Sequence, residues 1–274
     1  MKRIGIITIN DNNNYGNRLQ NYAVQEYLKR LGFEVETLRN AEVYNDKKKF
    51  ILRLIKKKLK ENKHNLTERD RCFKVFNNNI KFSENKITAF SHIKNKYDYF
   101  IVGSDQVWNP NIGRLRDVDL LNFADSKQRI SLSASFGVNC ISKEDKKKIK
   151  KELYKFKSIS VREEAGKRII NDVLPRNDVE VLIDPTMLLT ADEWDKVAKK
   201  PKQLDNLKNK RYILTYFLGN LSMDKKGKIE EIAQKNNCEI INILDKNSPF
   251  YQTGPSEFLY LEKNAIFMCV FYFV

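Results

Sequence analysis

The chain opens on a run of β-branched residues. Ile4 to Ile9 is almost continuously apolar, the mark of a strand buried on both faces. A polar loop follows, Asn10 to Asn17. Leu19, Tyr22, Ala23, Leu28 and Leu31 then recur at helical spacing. Asn17 and Gln20, three residues apart, have the shape of a capping box and predict the start of that helix. Gly32 ends it, and Phe33 to Leu38 resumes strand alternation. This is a βαβ unit.

The alternation continues. Tyr97 to Val102 reads as a strand running into Gly103-Ser104-Asp105-Gln106. Arg129 to Phe136 is another, lined with small residues and closed by Gly137. Ser142 to Asp145 caps a basic helix ending near Phe156. Ser158 to Val161 ends at Arg162-Glu163, and Val179 to Ile183 ends at Asp184-Pro185-Thr186. Thr190 with Glu193 opens a short helix around Trp194. Strands alternating with helices predict an α/β fold with a doubly wound parallel sheet over residues 1–198.

Lys199 to Lys210 is polar, lysine-rich and contains Pro201, which predicts a linker at 199–210. Beyond it, Tyr212 to Leu218 and Glu239 to Leu244 read as strands flanking a helix at Asp224 to Gln234. Gly254-Pro255-Ser256 opens a further helix. Residues 211–274 hold about three strands, half of a doubly wound domain, and so predict an incomplete second Rossmann-like domain.

Composition narrows the picture in three ways. The 274 residues carry 41% hydrophobic and 11% aromatic side chains, enough to build a core. No apolar stretch approaches the roughly 18 residues of a membrane span, and Met1 to Ile7 lacks the form of a signal peptide. Cys72, Cys140, Cys238 and Cys269 fit no metal-ligand spacing and read as thiols of a reducing compartment, so no metal site is expected.

The net charge is +16, much of it in lysine runs such as Lys47 to Lys49, Lys56 to Lys58 and Lys146 to Lys148. Such runs are solvated faces, or they meet an anionic membrane, an anionic substrate or nucleic acid. No basic-aromatic module supports nucleic acid. The apolar stripe Phe50, Ile51, Leu54, Ile55 and Leu59 sits among lysines. It either covers a domain or rests on anionic headgroups.

In an open parallel sheet, ligands bind beyond the carboxyl ends of the strands. The first loop has neither a G-x-G-x-x-G fingerprint nor a Walker lysine, which argues against a nucleotide cofactor. Gly16-Asn17 opening a helix offers amides to an anion, or is an ordinary capped turn. Gly103 allows backbone to approach a ligand, and Asp105 and Gln106 offer groups suited to a sugar diol, or Gly103 to Gln106 is a strand-ending turn. Trp108 gives a sugar ring a flat face, or is a core residue. Arg162 can hold a carboxylate or phosphate in a fork, or it pairs with Glu163 or Glu164. Asp184 is a ligand group or a local turn cap. His64 and His92 receive no role.

Five stretches, in this order, resemble the polysaccharide pyruvyl transferase family. They are Asn14-Tyr15-Gly16-Asn17 with Leu19-Gln20 and Tyr22-Ala23; Gly103-Ser104-Asp105-Gln106 with Trp108-Asn109; Ala134 to Gly137; Ser160 to Glu163; and Asp184-Pro185-Thr186 with Leu188-Leu189 and Trp194. Gly254 to Leu259 and Asn264-Ala265 are similar to the family's second domain.

The resemblance implies a GT-B-like chain with its site in the cleft between two domains. It implies transfer of a pyruvyl group from phosphoenolpyruvate to two sugar hydroxyls as a cyclic ketal. Phosphoenolpyruvate is then a donor substrate, and no cofactor is needed. The acceptor is a cell-surface polysaccharide or its lipid-linked precursor, which places the protein in the cytoplasm at the inner face of the membrane. Arg162 matches a family arginine expected to hold the donor.

The candidate catalytic residues are thus Asp105 and Arg162. The candidate binding residues are Asn14, Gly16, Asn17, Gln20, Gly103, Ser104, Gln106, Trp108 and Asp184. One departure stands out. The family's histidine-bearing segment is expected after Ala265 to Cys269, where this chain reads Val270-Phe271-Tyr272-Phe273-Val274. That implies a truncated second domain, and an alternative role as a non-catalytic glycan-binding or membrane-associated remnant.

Overall fold

The computed structural model describes residues 1–10, 14–40, 68–87, 92–199, 211–217, 221–243 and 259–260. The basic stripe at Phe50 to Leu59, most of the linker at 199–210, the helix expected from Gly254, and Ala265 to Val274 lie outside them. The chain divides into two compact units, Met1–His64 with Asn77–Thr190, and Asn65–Phe76 with Ala191–Val274.

The first unit is built on seven parallel strands: β1 (Arg3–Ile7), β2 (Glu34–Asn40), β3 (Phe82–Ile87), β4 (Tyr99–Gly103), β5 (Arg129–Ala134), β6 (Ser158–Val161) and β7 (Val179–Val181). Their order is β3-β2-β1-β4-β5-β6-β7. Sequence order thus reverses between β1 and β4, the switch point at which a doubly wound sheet opens a crevice. Helix α1 (Tyr15–Arg30) crosses from β1 to β2. Helices α3 (Lys143–Leu153) and α4 (Glu164–Asn171) make the later crossovers. Helix α2 (Glu68–Asn77) precedes β3 in sequence, and its residues up to Phe76 group with the second unit.

Both faces of this sheet are buried, which is why β1 and β4 read as unbroken apolar runs. Ile4, Ile6 and Ile101 pack with Val24 and Leu28 of α1 on one side. Ile7, Phe100 and Val102 join Trp108, Phe136, Ile149 and Leu153 on the other. Each fully buried side chain of this size contributes about 1.5–3 kcal/mol. Gly5 is small for a reason: a Cβ there would lie 2.9 Å from Leu38 Cδ1 and 3.2 Å from Phe100 Cδ1.

Sequence pattern misses α2 and β3. The edge strand Phe82–Ile87 is mostly polar and is held by a buried amide. Gln25 of α1 donates to Thr37 Oγ1 (2.7 Å) and to the Lys81 carbonyl (2.8 Å), and its Oε1 accepts the Lys81 amide (3.0 Å). No local periodicity announces such a link.

The second unit contains a parallel sheet of order β10-β9-β8, from β8 (Arg211–Tyr216), β9 (Cys238–Ile243) and β10 (Leu259–Tyr260). Helix α6 (Met223–Lys235) connects β8 to β9 and is capped by Ser222, which accepts from the Lys225 amide. Ala233 of this helix and Ile241 and Ile243 of β9 are buried. The short helix α5 (Ala191–Asp195) carries the buried Trp194. Both units are thus of the α/β class, each built on a parallel sheet. Among the described residues, no helix is long and apolar enough to cross a membrane.

Candidate functional site

Because the seven strands are parallel, the segments after β1, β4, β5, β6 and β7 all emerge at one edge of the first unit. That edge carries the candidate residues, and hydrogen bonds connect most of them.

At the switch point, the helix start differs from the expected capping box. Asn14 is the N-cap of α1, and its Oδ1 accepts the Asn17 amide at 3.2 Å. Asn17 and Gln20 lie inside the first turns and serve the strand ends instead. Gln20, buried, donates to Thr8 Oγ1 (3.0 Å) after β1 and to the Asn17 carbonyl (3.1 Å). Its Oε1 accepts the Ser104 amide after β4 (3.2 Å). One side chain therefore ties the exits of the two strands that flank the crevice. Asn17 Nδ2 donates to Asp105 Oδ2. Gly16 is exposed in the first turn of the helix.

Gly103 ends β4 with φ 140°, and a Cβ there would meet the Leu132 carbonyl oxygen at 2.0 Å. Only glycine fits this approach of β4 to β5. The chain then presents Ser104, Asp105 and Gln106. Burial raises the Asp105 carboxyl above its ordinary range; the Gln106 amide and the charge of Arg162 pull it down, and Asp184 pushes it up. The Gln106 amide donates to Asp105 Oδ1 at 2.7 Å. Gln106 Oε1 accepts from Asn109 Nδ2 at 2.8 Å. Two buried oxygens, Asn17 Oδ1 and Ser104 Oγ, have no hydrogen-bond partner among the described residues.

Arg162 does not pair with Glu163 or Glu164. Its Nη1 lies 2.9 Å from Asp184 Oδ2, joining the exits of β6 and β7. The guanidinium side chain is 28% exposed and its partner 31%, so the pair faces solvent in part. Asp184 also caps the short turn Pro185–Leu188, accepting the Thr186 amide (3.0 Å) and hydroxyl (2.8 Å). Asp184 is thus the turn cap and, at the same time, the ion-pair partner of Arg162.

Trp108 stands apart as a core residue. It is fully buried, packs against Phe136 and Phe156, and donates its indole N–H to the Asp119 carbonyl at 2.9 Å. It offers no ring face to a sugar.

One residue of this edge escaped sequence reasoning. Glu163 Oε1 accepts from Ser135 Oγ (3.0 Å), the Phe136 amide (2.8 Å) and the Gly137 amide (3.3 Å). Its place beside Arg162 suggested a salt bridge, and only the sheet order reveals that it faces β5.

The switch point of the parallel sheet thus carries a buried carboxyl, Asp105, and Arg162 stands at the exit of the strand two beyond. The polysaccharide pyruvyl transferase family model matches residues 14–268, and the chain belongs to that family. No curated protein matches it. Among solved structures it is similar to the S. aureus MnaA–UDP co-structure, at 11% identity and TM-score 0.47, covering 99% of this chain and 71% of that one. It is also similar to UDP-N-acetylglucosamine 2-epimerase from Rickettsia bellii, at 11% identity and TM-score 0.42, covering 95% and 68%.

Proposed function

We propose that this chain binds phosphoenolpyruvate and a polysaccharide or lipid-linked glycan at the carboxyl edge of its first unit, and transfers the pyruvyl group to two sugar hydroxyls. Family membership supports the reaction class. The observation that carries the site is the grouping of Arg162, Asp184 and Asp105: a partly exposed guanidinium acts electrostatically on a buried carboxyl whose affinity for protons is raised.

The chemistry has two requirements. The donor carries a phosphate and a carboxylate and needs a fork of N–H donors, which Arg162 supplies. The reaction also moves protons. A proton adds to the donor methylene carbon, and the adjacent carbon takes the oxygen of a sugar hydroxyl. Phosphate leaves with the C–O bond pair, and a second hydroxyl closes the ketal. Of the two hydroxyl protons released, one balances the new methyl group and one the departing phosphate. A carboxyl whose affinity for its proton is raised by burial suits such general acid–base work, and Asp105 takes that role. Asn17, Ser104 and Gln106 surround it with groups able to hold hydroxyls.

The test is a thermal shift. Phosphoenolpyruvate at millimolar concentration should raise the melting temperature, pyruvate should raise it less, and Arg162→Ala should abolish the effect. Adding acceptor glycan should then release phosphate only when both substrates are present. Equal shifts with pyruvate and phosphoenolpyruvate would contradict recognition of the phosphorylated donor.

A further inference from the structure

We propose that Glu163 is a positioning residue of this edge: its carboxylate fixes the turn Ser135 to Gly137, and that turn places Asp105 and Gln106. Glu163 leaves β6 beside Arg162, yet the two side chains diverge. Arg162 reaches Asp184, toward β7. Glu163 reaches back to β5, where its Oε1 collects three donors, Ser135 Oγ and the amides of Phe136 and Gly137. The Gly137 amide is also within reach of Ser135 Oγ, at 3.1 Å. Phe136 is fully buried, so removing the carboxylate takes from its amide the partner that the fold provides.

The turn held in this way carries the next strand exit. The Ser135 amide donates to the Asp105 carbonyl at 3.1 Å, and the Ser135 carbonyl accepts the Trp108 amide at 3.1 Å. Both ends of the segment from Asp105 to Trp108 thus hang on Ser135. Gly137, in the left-handed region at φ 62°, lies beneath the same segment. A Cβ there would come within 2.7 Å of both Asn109 Nδ2 and Gln106 Cδ. A shift of this turn therefore moves the main chain of Asp105 and the side chain of Gln106 together.

The local β5 geometry explains the need for a clamp. Ser133 has a positive φ of 48°, and the β5–β6 register shifts between Ser131 and Ala134. Serine hydroxyls replace part of the ladder there. Ser160 Oγ donates to the Ser131 carbonyl (2.9 Å) and accepts the Ser133 amide (3.0 Å). Beyond the irregularity, Arg162 N–H still meets the Ala134 carbonyl at 3.2 Å, and the Glu163 side chain takes over where the ladder ends.

The catalytic meaning of this placement rests on the preceding functional reading; the placement itself does not. The experiment uses the full chain and follows the Asp105 carboxyl by carbon NMR titration, with its signal assigned by loss in Asp105→Asn. The charges acting most strongly on Asp105 are Arg162, Asp184 and Arg114, so a change at Glu163 reaches it through geometry. Glu163→Ala should move the Asp105 midpoint down toward the ordinary carboxyl value as water enters. Glu163→Gln keeps an oxygen acceptor and should leave the midpoint at wild type. Ser135→Ala removes one of the three donors and should shift it partway, which provides a readout if Glu163→Ala does not fold. An unchanged midpoint in Ser135→Ala and in folded Glu163→Ala would overturn the proposal. So would a Glu163→Gln shift as large as that of alanine. A midpoint that moves as expected in a chain that does not bind phosphoenolpyruvate would retain the positioning role and reject the functional reading.

Discussion

Gln20 joins the ends of β1 and β4: its amide nitrogen donates to Thr8 Oγ1 at 3.0 Å, while its Oε1 accepts the Ser104 amide at 3.2 Å. The crevice of the doubly wound sheet is therefore bridged from inside by a buried side chain of α1. The bridge sets Asn17 and Asp105 against each other. It gives the switch point a fixed geometry on which the following expectations depend.

Two glycines of the edge should respond differently to alanine. At Gly103 the new Cβ would meet a backbone oxygen at 2.0 Å, which cannot yield without moving β5. Gly103→Ala should cost about 3 kcal/mol or more in urea unfolding. At Gly137 the obstacles are the side chains of Gln106 and Asn109, which can turn aside. Gly137→Ala should cost about 1–2 kcal/mol, chiefly for the left-handed backbone. Equal costs would mean that the β4–β5 approach is less rigid than described.

Asp105 predicts a pH signature. Burial raises its native carboxyl above the unfolded value of about 4, so the folded state binds the proton more tightly. The resulting stabilisation is fully present below the unfolded value and is lost as pH rises through the native midpoint. Stability of wild type minus that of Asp105→Asn should therefore fall as pH is raised from about 4. Denaturation at a series of pH values measures this. A difference that grows with pH would place Asp105 in a site that favours its ionised form.

Trp108 should matter for stability and not for ligand affinity. Trp108→Phe loses the hydrogen bond to the Asp119 carbonyl and should cost about 1–3 kcal/mol. Phosphoenolpyruvate and glycan affinities should remain at wild type in calorimetry. Lost affinity with unchanged stability would restore the residue to the site.

The strands that build the crevice were legible because both faces are buried: Ile4 to Ile9 and Phe100 to Val102 read as short, almost continuous apolar runs rich in β-branched residues. The cap of α3 was legible for a local reason, since Ser142 accepts from Asp145 only three residues away. The start of α1 was misplaced by three residues because an asparagine-rich loop offers several equivalent caps. β3 was invisible because its support comes from Gln25, 56 residues before Lys81. Trp108 and Glu163 show the limit at the site itself. Each lies in a stretch that the pattern marks as chemical, yet orientation decides the role. Trp108 points into the core, and Glu163 points to β5. The Arg162–Asp184 pair spans 22 residues and needs the β6–β7 neighbourhood to be seen.

The most direct test of the central claim is a calorimetric titration of phosphoenolpyruvate into the wild-type chain and into Arg162→Ala at constant ionic strength. Charge-assisted hydrogen bonds from a guanidinium contribute about 1.5–3 kcal/mol each, which corresponds to roughly 10- to 100-fold in affinity. The expected result is measurable binding to wild type, weakened by at least about tenfold in Arg162→Ala. Binding of equal strength in both proteins, or none to wild type at millimolar donor, would contradict the assignment of Arg162 and of this edge to the donor.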